Sequence, residues 1–402
     1  MVNVRKVCDK TIWILTLWWI VAIYLFTQQT WGRYYYFMAS VAVFIFTAVR
    51  GYGKIHLRIR SYHLYMFGFA LFCGLSAVWA REPAAAISKC QTIILTIVCC
   101  SMMYPFYEEQ ESVEQLVTML MWAGYFVALY SIQKFGLSTL LAATVSRNTR
   151  MEFGYNNSNT IGMICALSIV IQVYKIIYGE RSLWSFLMVP TIVVVAASQS
   201  RKALILMPIG IMLIMLLKNA ENKNVVKGFV KTILSIAVLI VLIIGISQLS
   251  IFNGMNERMV RMFNSFTGNG IIDTSSIVRE NMRKAGIAQF LKTPLIGIGI
   301  GGSGTITEIA VGRRTYLHNN YVELLACGGI LGTLVYYIPY ISCLGIFCRK
   351  KNIRNRQTVI CITIMFVLLV MDYGLVSYYD KLQYFYVMMF FIHRDNLLRG
   401  KV

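Results

Sequence analysis

The amino-acid sequence predicts an all-α, polytopic integral membrane protein with about twelve transmembrane helices. Three observations carry this reading. Of the 402 residues, 57% are hydrophobic and only 14% charged, against roughly 25% charged residues in a soluble domain. Apolar runs of about 17–25 residues, each enough to span a bilayer, recur from one end to the other. The runs are continuous, whereas a membrane barrel alternates apolar and polar positions. Residues 1–402 read as a single transmembrane domain, with 250–318 as one long polar loop that contains an amphipathic helix.

The first run, 11–27, follows Arg5, Lys6 and Lys10 as the core of a signal peptide would. No small-x-small cleavage site follows it and further apolar runs do, so it reads as an uncleaved first helix. Runs at 34–49, 62–80, 90–107 and 115–134 come next. Then come 159–178, 183–199, 203–217 and 232–249, the stretch 183–217 being two helices or a broken pair. The last runs are 319–347, 357–376 and a short one at 384–392. The ten cysteines lie in or beside apolar runs without zinc or disulfide spacing, and read as small buried hydrophobes.

The net charge of +21 is not spread as a nucleic-acid binder would spread it. Positive clusters fall on alternate connections: Arg5/Lys6/Lys10, Arg50/Lys54/Arg58/Arg60, Lys218/Lys223/Lys227/Lys231, Arg349/Lys350/Lys351/Arg354/Arg356 and Arg394/Arg399/Lys401. The positive-inside rule assigns these to the cytoplasm. An acidic connection, Glu108-Glu109-Gln110-Glu111, shares that side. The connections 135–158, 201–202 and 250–318 then face out. The long outer loop still holds eight Lys and Arg residues, and an anionic ligand is one reason for such an excess.

Three outward segments carry the candidate residues. Arg147 and Arg150 precede a polar stretch ending at Asn159, which also suits a helix N-cap. Ser198-Gln199-Ser200-Arg201-Lys202 is a tight polar turn between apolar runs, where arginine can simply snorkel to headgroups. The stretch from Thr274 towards Pro294 reads as an amphipathic helix. In it Ile277, Ala285, Ala288 and Leu291 form an apolar face and Glu280 pairs with Lys284. Arg279 and Arg283 stand one turn apart, a like-charge pair that a bound anion or solvent would relieve. Gly297-Ile298-Gly299-Ile300-Gly301-Gly302 contains GxGxxG but no βαβ unit surrounds it. It reads as a flexible turn bringing backbone close to a ligand or to His318. His318-Asn319 then opens a hydrophobic helix, with Gly329 and Gly332 further along it. An unperturbed histidine can take a proton at neutral pH; the plain alternative is a cap residue. The sequence has no Walker loop, no H-E-x-x-H, no Asp-x-Asp metal motif and no string of intramembrane carboxylates such as a proton pump needs.

The Arg147–Asn159 stretch, Ser200-Arg201, Arg279…Phe290…Pro294-Leu295-Ile296-Gly297-Ile298-Gly299 and His318-Asn319-x9-Gly329-x-x-Gly332 occur in the order seen in the O-antigen ligase and polymerase superfamily, which the chain resembles over roughly 140–335. The resemblance implies a GT-C-type glycosyltransferase in the bacterial cytoplasmic (inner) membrane, active on its extracytoplasmic side. Its donor and acceptor would be undecaprenyl-diphosphate-linked oligosaccharides within membrane lipid, with neither metal nor other cofactor, and with a chain-length regulator protein as a further partner. Arg201 and Arg279 would bind the diphosphate, because the arginine fork matches phosphate oxygens and stays charged. His318 would sit near the acceptor hydroxyl as base. Arg147, Arg150, Asn159, Arg283 and Asn319 would add substrate contacts. The spacing does not separate a polymerase of O-antigen or capsule repeat units from a ligase onto lipid A–core. The polymerase is favoured because such enzymes are more numerous and diverse. A flippase would need two similar halves, and a non-catalytic chain-length regulator would have few helices and long coiled coils.

Overall fold

The computed structural model describes residues 2–26, 29, 31–55, 58–146, 151–180, 182–219, 230–231, 233–234, 237, 245, 248–267 and 274–401. The chain is an all-α, multi-pass membrane protein. The helices are α1 (Val2–Phe26), α2 (Gly32–Arg50), α3 (Ser61–Leu75), α4 (Pro83–Glu109), α5 (Glu114–Phe135), α6 (Leu137–Val145), α7 (Ser158–Ile177), α8 (Met188–Ser198) and α9 (Arg201–Asn219). They continue as α10 (Asn253–Thr267), α11 (Thr274–Lys292), α12 (Ser303–Val311), α13 (Asn320–Phe347), α14 (Arg356–Asp372) and α15 (Lys381–Leu398).

Among the described residues, eight helices are long and apolar enough to cross a membrane: α1 to α5, α7, α9 and α13. The expected twelve included four more. The run 183–199 forms the shorter apolar helix Leu183–Ser198, and 183–217 is two helices that meet at Gln199 and Ser200. Most of 232–249 lies outside the described residues. The run 357–376 is α14, which ends at Asp372. The run 384–392 is the middle of α15, which carries Lys381, His393, Arg394 and Asp395. Every residue of α15 from Leu382 to Leu397 is buried. A helix enclosed by protein on all sides faces no lipid, so its sequence need not read as a transmembrane run.

Ion pairs tie together one end of the bundle. Arg50 bonds Asp9 at 2.6 Å and Glu109 at 2.8 Å, and Glu108 holds both Arg60 at 2.5 Å and Arg399 at 2.7 Å. Lys175 joins Glu114 at 3.1 Å and Glu180 at 3.0 Å, and Arg356 joins Glu180 at 2.7 Å. The acidic run 108–111 thus neutralises part of the basic clusters that share its end.

At the other end, 294–302 is wedged between α13 and the turn joining α3 to α4. Gly329 breaks α13 with φ 64° and ψ −167°. There Ile330 N–H donates to the Pro294 carbonyl at 2.8 Å, Leu331 N–H to Leu295 at 3.1 Å, and Ile298 N–H to Ala326 at 3.1 Å. Backbone groups freed at the break are therefore satisfied by protein, as burial demands. On the opposite flank Arg81 N–H donates to Ile298 at 3.0 Å and the Trp79 indole to Ile296 at 3.3 Å. The glycine run serves this packing rather than a flexible approach to ligand. A Cβ on Gly297 would lie 2.4 Å from the Cys327 backbone, and one on Gly299 2.3 Å from Ala80. The spacing of Gly329 and Gly332 has the same origin. Gly332 admits the Phe72 ring, which a Cβ would meet at 2.5 Å.

α11 lies against α13 and α12, but not through the expected face. Ile277 and Leu291 are exposed, whereas Met282, Gly286 and Gln289 are buried. Gly286 decides this: a Cβ there would meet Val322 at 2.5 Å and Leu317 at 2.8 Å. Close approach of backbone outweighs apolar area on the other face.

Gly329→Ala should destabilise the protein by roughly 2–5 kcal/mol, from backbone strain and overpacking combined. Gly345→Ala, in the same helix with nothing within 4 Å of its Cβ position, should be neutral or slightly stabilising. Thermal unfolding in detergent measures both, and equal melting temperatures would contradict the kink's role.

Candidate active site

His318 is placed by its neighbours in sequence. The buried Glu323 carboxylate accepts from Leu317 N–H at 2.8 Å and from Ser303 Oγ at 2.6 Å. It pins the residue before His318 to the start of α12. Asn319 caps α13, its Oδ1 accepting from Val322 N–H at 3.0 Å. Asn320 then spends its whole amide. Its Nδ2 donates to the Tyr337 hydroxyl at 2.9 Å and to Asp372 at 3.2 Å; its Oδ1 accepts from Ser377 N–H at 2.9 Å and Tyr378 N–H at 3.1 Å. Between these anchors His318 adopts a left-handed conformation with φ 56°, uncommon for a non-glycine residue and frequent where strain serves function. The cap role that a plain reading would give His318 belongs to Asn319.

Arg201 is placed by the turn before it. Ser198, Gln199 and Ser200 are buried. Gln199, at φ 45°, donates to the Ala143 carbonyl at 3.0 Å and the Ser146 carbonyl at 2.8 Å. Ser200 Oγ accepts from Ala203 N–H at 3.4 Å at the start of α9. Arg201 reaches across to α11, where Nη2 donates to Ser275 Oγ at 3.4 Å. Lys202 donates to the Gly374 carbonyl.

Ser275, Val278 and Arg279 of α11, Val311 and Arg313 at and beyond the end of α12, and His318 line one cavity of about 420 Å³. Arg279 lies two turns from Gly286 and so shares the face that packs on α13. The Tyr316 ring covers the imidazole, with centroids 4.1 Å apart. Burial pushes the His318 pKa down to about 4, and the charges of Arg279, Lys202 and Arg313 push it the same way. The imidazole is therefore neutral at pH 7, with a lone pair available, and the field of the surrounding cations favours negative charge beside it. A cavity holding a neutral imidazole beside fixed cations can bind an anion and accept a proton from a group next to it.

Residues 186–337 match the family model Wzy_C, described as O-antigen ligase. Over this part, less than half of its length, the chain is similar to the O-antigen ligase family. No curated protein matches the chain. The matched stretch holds Arg201, Arg279, His318 and every residue that lines the cavity.

The other expected site residues are placed differently. Arg283 does not line the cavity; it holds Glu280 through Nε at 2.9 Å and Nη2 at 2.7 Å. That i,i+3 pair takes the place of the expected pair with Lys284. Asn159 lies in the first turn of α7. The N-cap there is Asn157, whose side chain accepts from Asn159 N–H at 2.8 Å. Asn319 is buried in its capping role. Arg147 and Arg150 lie outside the described residues. Sequence reasoning missed Lys202, Ser275, Arg313, Tyr316 and Glu323 as site residues. Two left a signal: Arg313 lies five residues before His318, and Glu323 is a carboxylate in the first turn of an apolar helix.

An anion in the cavity should raise the His318 pKa from about 4 towards neutrality, because it offsets the cations that lower it. Ring-carbon NMR of histidine-labelled protein, titrated with and without inorganic diphosphate, measures this. An unchanged pKa at saturating diphosphate would place the anion elsewhere.

Proposed function

We propose that this chain is a metal-independent GT-C-type glycosyltransferase that joins repeat units of O-antigen or capsular polysaccharide carried on undecaprenyl diphosphate. The observation that carries the reading is the convergence of Arg279, Arg313 and His318 on one cavity, with Arg201 bonded to its rim at Ser275. It lies within the stretch that matches the superfamily. Arg201 and Arg279 hold the donor diphosphate, and Lys202 and Arg313 add positive charge beside it. Arg147 and Arg150 remain candidates for further substrate contacts. His318 takes the proton of the acceptor hydroxyl as its oxygen attacks the anomeric carbon. The bond from that carbon to the diphosphate breaks, and undecaprenyl diphosphate leaves with the electron pair, its developing charge stabilised by the arginines. Bound diphosphate also makes His318 a stronger base than it is in the empty cavity.

A second reading, transfer of the finished glycan onto lipid A–core, is favoured by the description of the matched family as O-antigen ligase. Deletion of the gene separates the two. Loss of the surface glycan ladder with one repeat unit still on lipid A marks the polymerase; full-length chains stranded on undecaprenyl diphosphate mark the ligase.

Arg279→Ala and Arg201→Ala should each abolish polymer while the protein stays in the membrane, and Arg→Lys should rescue poorly because the fork is lost. His318→Asn keeps a residue that tolerates left-handed backbone and removes the imidazole. It should lower turnover by roughly 10²–10⁴-fold, the usual worth of a general base, with donor binding retained. Near-normal turnover of His318→Asn would remove His318 from the mechanism. Chelator should change nothing.

The site is proposed to face out, with the ion-paired end in the cytoplasm. Cys348 is the exposed native cysteine and lies at that end. Ile309, on α12 near the site, is exposed. An impermeant maleimide should label Ile309→Cys in spheroplasts and Cys348 only after lysis. The reverse pattern would invert the topology.

A further inference from the structure

At the ion-paired end, away from the His318 cavity, a groove of about 520 Å³ lies between α3 and α4. Leu64, Phe67 and Leu71 form its apolar wall, and all three are exposed on the outside of the bundle. Gly68 lies among them, and a Cβ there would meet nothing within 4 Å. No neighbouring helix fills this space among the described residues. Two polar atoms in the facing wall, Ser101 Oγ and the Tyr104 hydroxyl, are buried without a hydrogen-bond partner among those residues. Tyr104 is only 1% exposed. An unpaired buried hydroxyl is unfavourable, and a ligand that bonds it would remove the penalty.

The mouth of the groove is positive. It shares Arg58, Pro105 and Glu108 with an adjoining cleft that adds Arg60, Arg399 and Lys401. Glu108 is shared by Arg60 and Arg399, so that cluster keeps one positive charge in surplus. Arg58 is exposed beside it and adds another. Arg60 also keeps its Nε buried and unpartnered among the described residues. Lys401 is balanced by Glu111 at 2.5 Å, and Glu109 pairs with Arg50 at 2.8 Å.

We propose that this groove binds one anionic phospholipid. An acyl chain lies along Leu64, Phe67, Gly68 and Leu71, and the phosphate sits at Arg58 and Arg60. The ester region meets the hydroxyls of Tyr104, one turn below Glu108, and Ser101, a further turn down. The apolar wall calls for a lipid rather than free phosphate. The surplus charge selects an anionic headgroup over a zwitterionic one, as basic pockets between membrane helices do. Nothing in this assignment depends on the chemistry at His318.

Native mass spectrometry of the full-length protein in detergent tests it, with phosphatidylglycerol and phosphatidylethanolamine of matched chains. One phosphatidylglycerol should be retained at least about tenfold more tightly than phosphatidylethanolamine, and inorganic phosphate should not displace it. Gly68→Leu should fill the groove and abolish retention, and Arg58→Gln should remove the headgroup preference. Tyr104→Phe should weaken phosphatidylglycerol binding while leaving the lipid-free protein's melting temperature unchanged or higher. Equal retention of the two lipids, displacement by phosphate alone, or full retention in Gly68→Leu would overturn the proposal. Should Gly68→Leu fail to fold, Arg58→Gln at an exposed position decides the matter: an unaltered lipid preference refutes the site.

Discussion

The buried carboxylate of Glu323 is the contact on which the geometry of the candidate site depends. It has two acceptor oxygens and two partners, Ser303 Oγ and the backbone N–H of Leu317. Those partners lie at the start of α12 and in the segment beyond its end, so one side chain closes that short helix onto α13. His318 follows directly and has little conformational freedom left, since Asn319 is committed to the cap and Asn320 to four further hydrogen bonds. A fully satisfied buried network of this kind specifies one arrangement, because any alternative leaves a polar group unpaired in a low-dielectric interior.

The two ends of the bundle solve the problem of charge differently. At one end acidic residues meet basic ones, and Asp9, Glu108, Glu109, Glu111, Glu114 and Glu180 are each engaged in ion pairs. Part of the positive charge there is thereby used structurally. At the other end burial lowers the pKa of His318, and Arg279, Lys202 and Arg313 each lower it further, which means that the net field at the imidazole is positive. Arg283, by contrast, is matched to Glu280 and stays out of the cavity. Two arginines one turn apart on a single helix thus serve different ends. A positive field in a concave, partly buried place marks where an anion is most favourable.

Glycine positions explain how a polar segment can enter the bundle. The 294–302 stretch approaches α13 and the α3–α4 turn so closely that Gly297, Gly299 and Gly329 have no room for a side chain. All three also have positive φ. The resulting hydrogen bonds across the Gly329 break replace those that the helix loses. The motif His318-Asn319-x9-Gly329-x-x-Gly332 therefore reads physically as a strained residue, a cap, a kink and a close helix contact.

The sequence by itself determined the membrane class, the all-α architecture, most helix positions and the family resemblance, because hydrophobic run length and ordered motifs are local properties. It also singled out Arg201, Arg279 and His318, which stand out as polar residues at the ends of apolar runs or in the loop between them. Only the tertiary structure decided that Arg201 reaches α11, that Arg283 turns to Glu280, and that α11 packs through Gly286 rather than its apolar stripe. Those outcomes depend on distances between side chains and on which face meets a neighbour, and periodicity along one helix carries no information about them. The same holds for α15, whose polar residues hid a buried central helix: exposure to lipid or to protein is settled by neighbours, not by composition. The partners of Glu323 were illegible for that reason too, since a carboxylate among apolar residues reveals them only once Ser303 and Leu317 are folded against it.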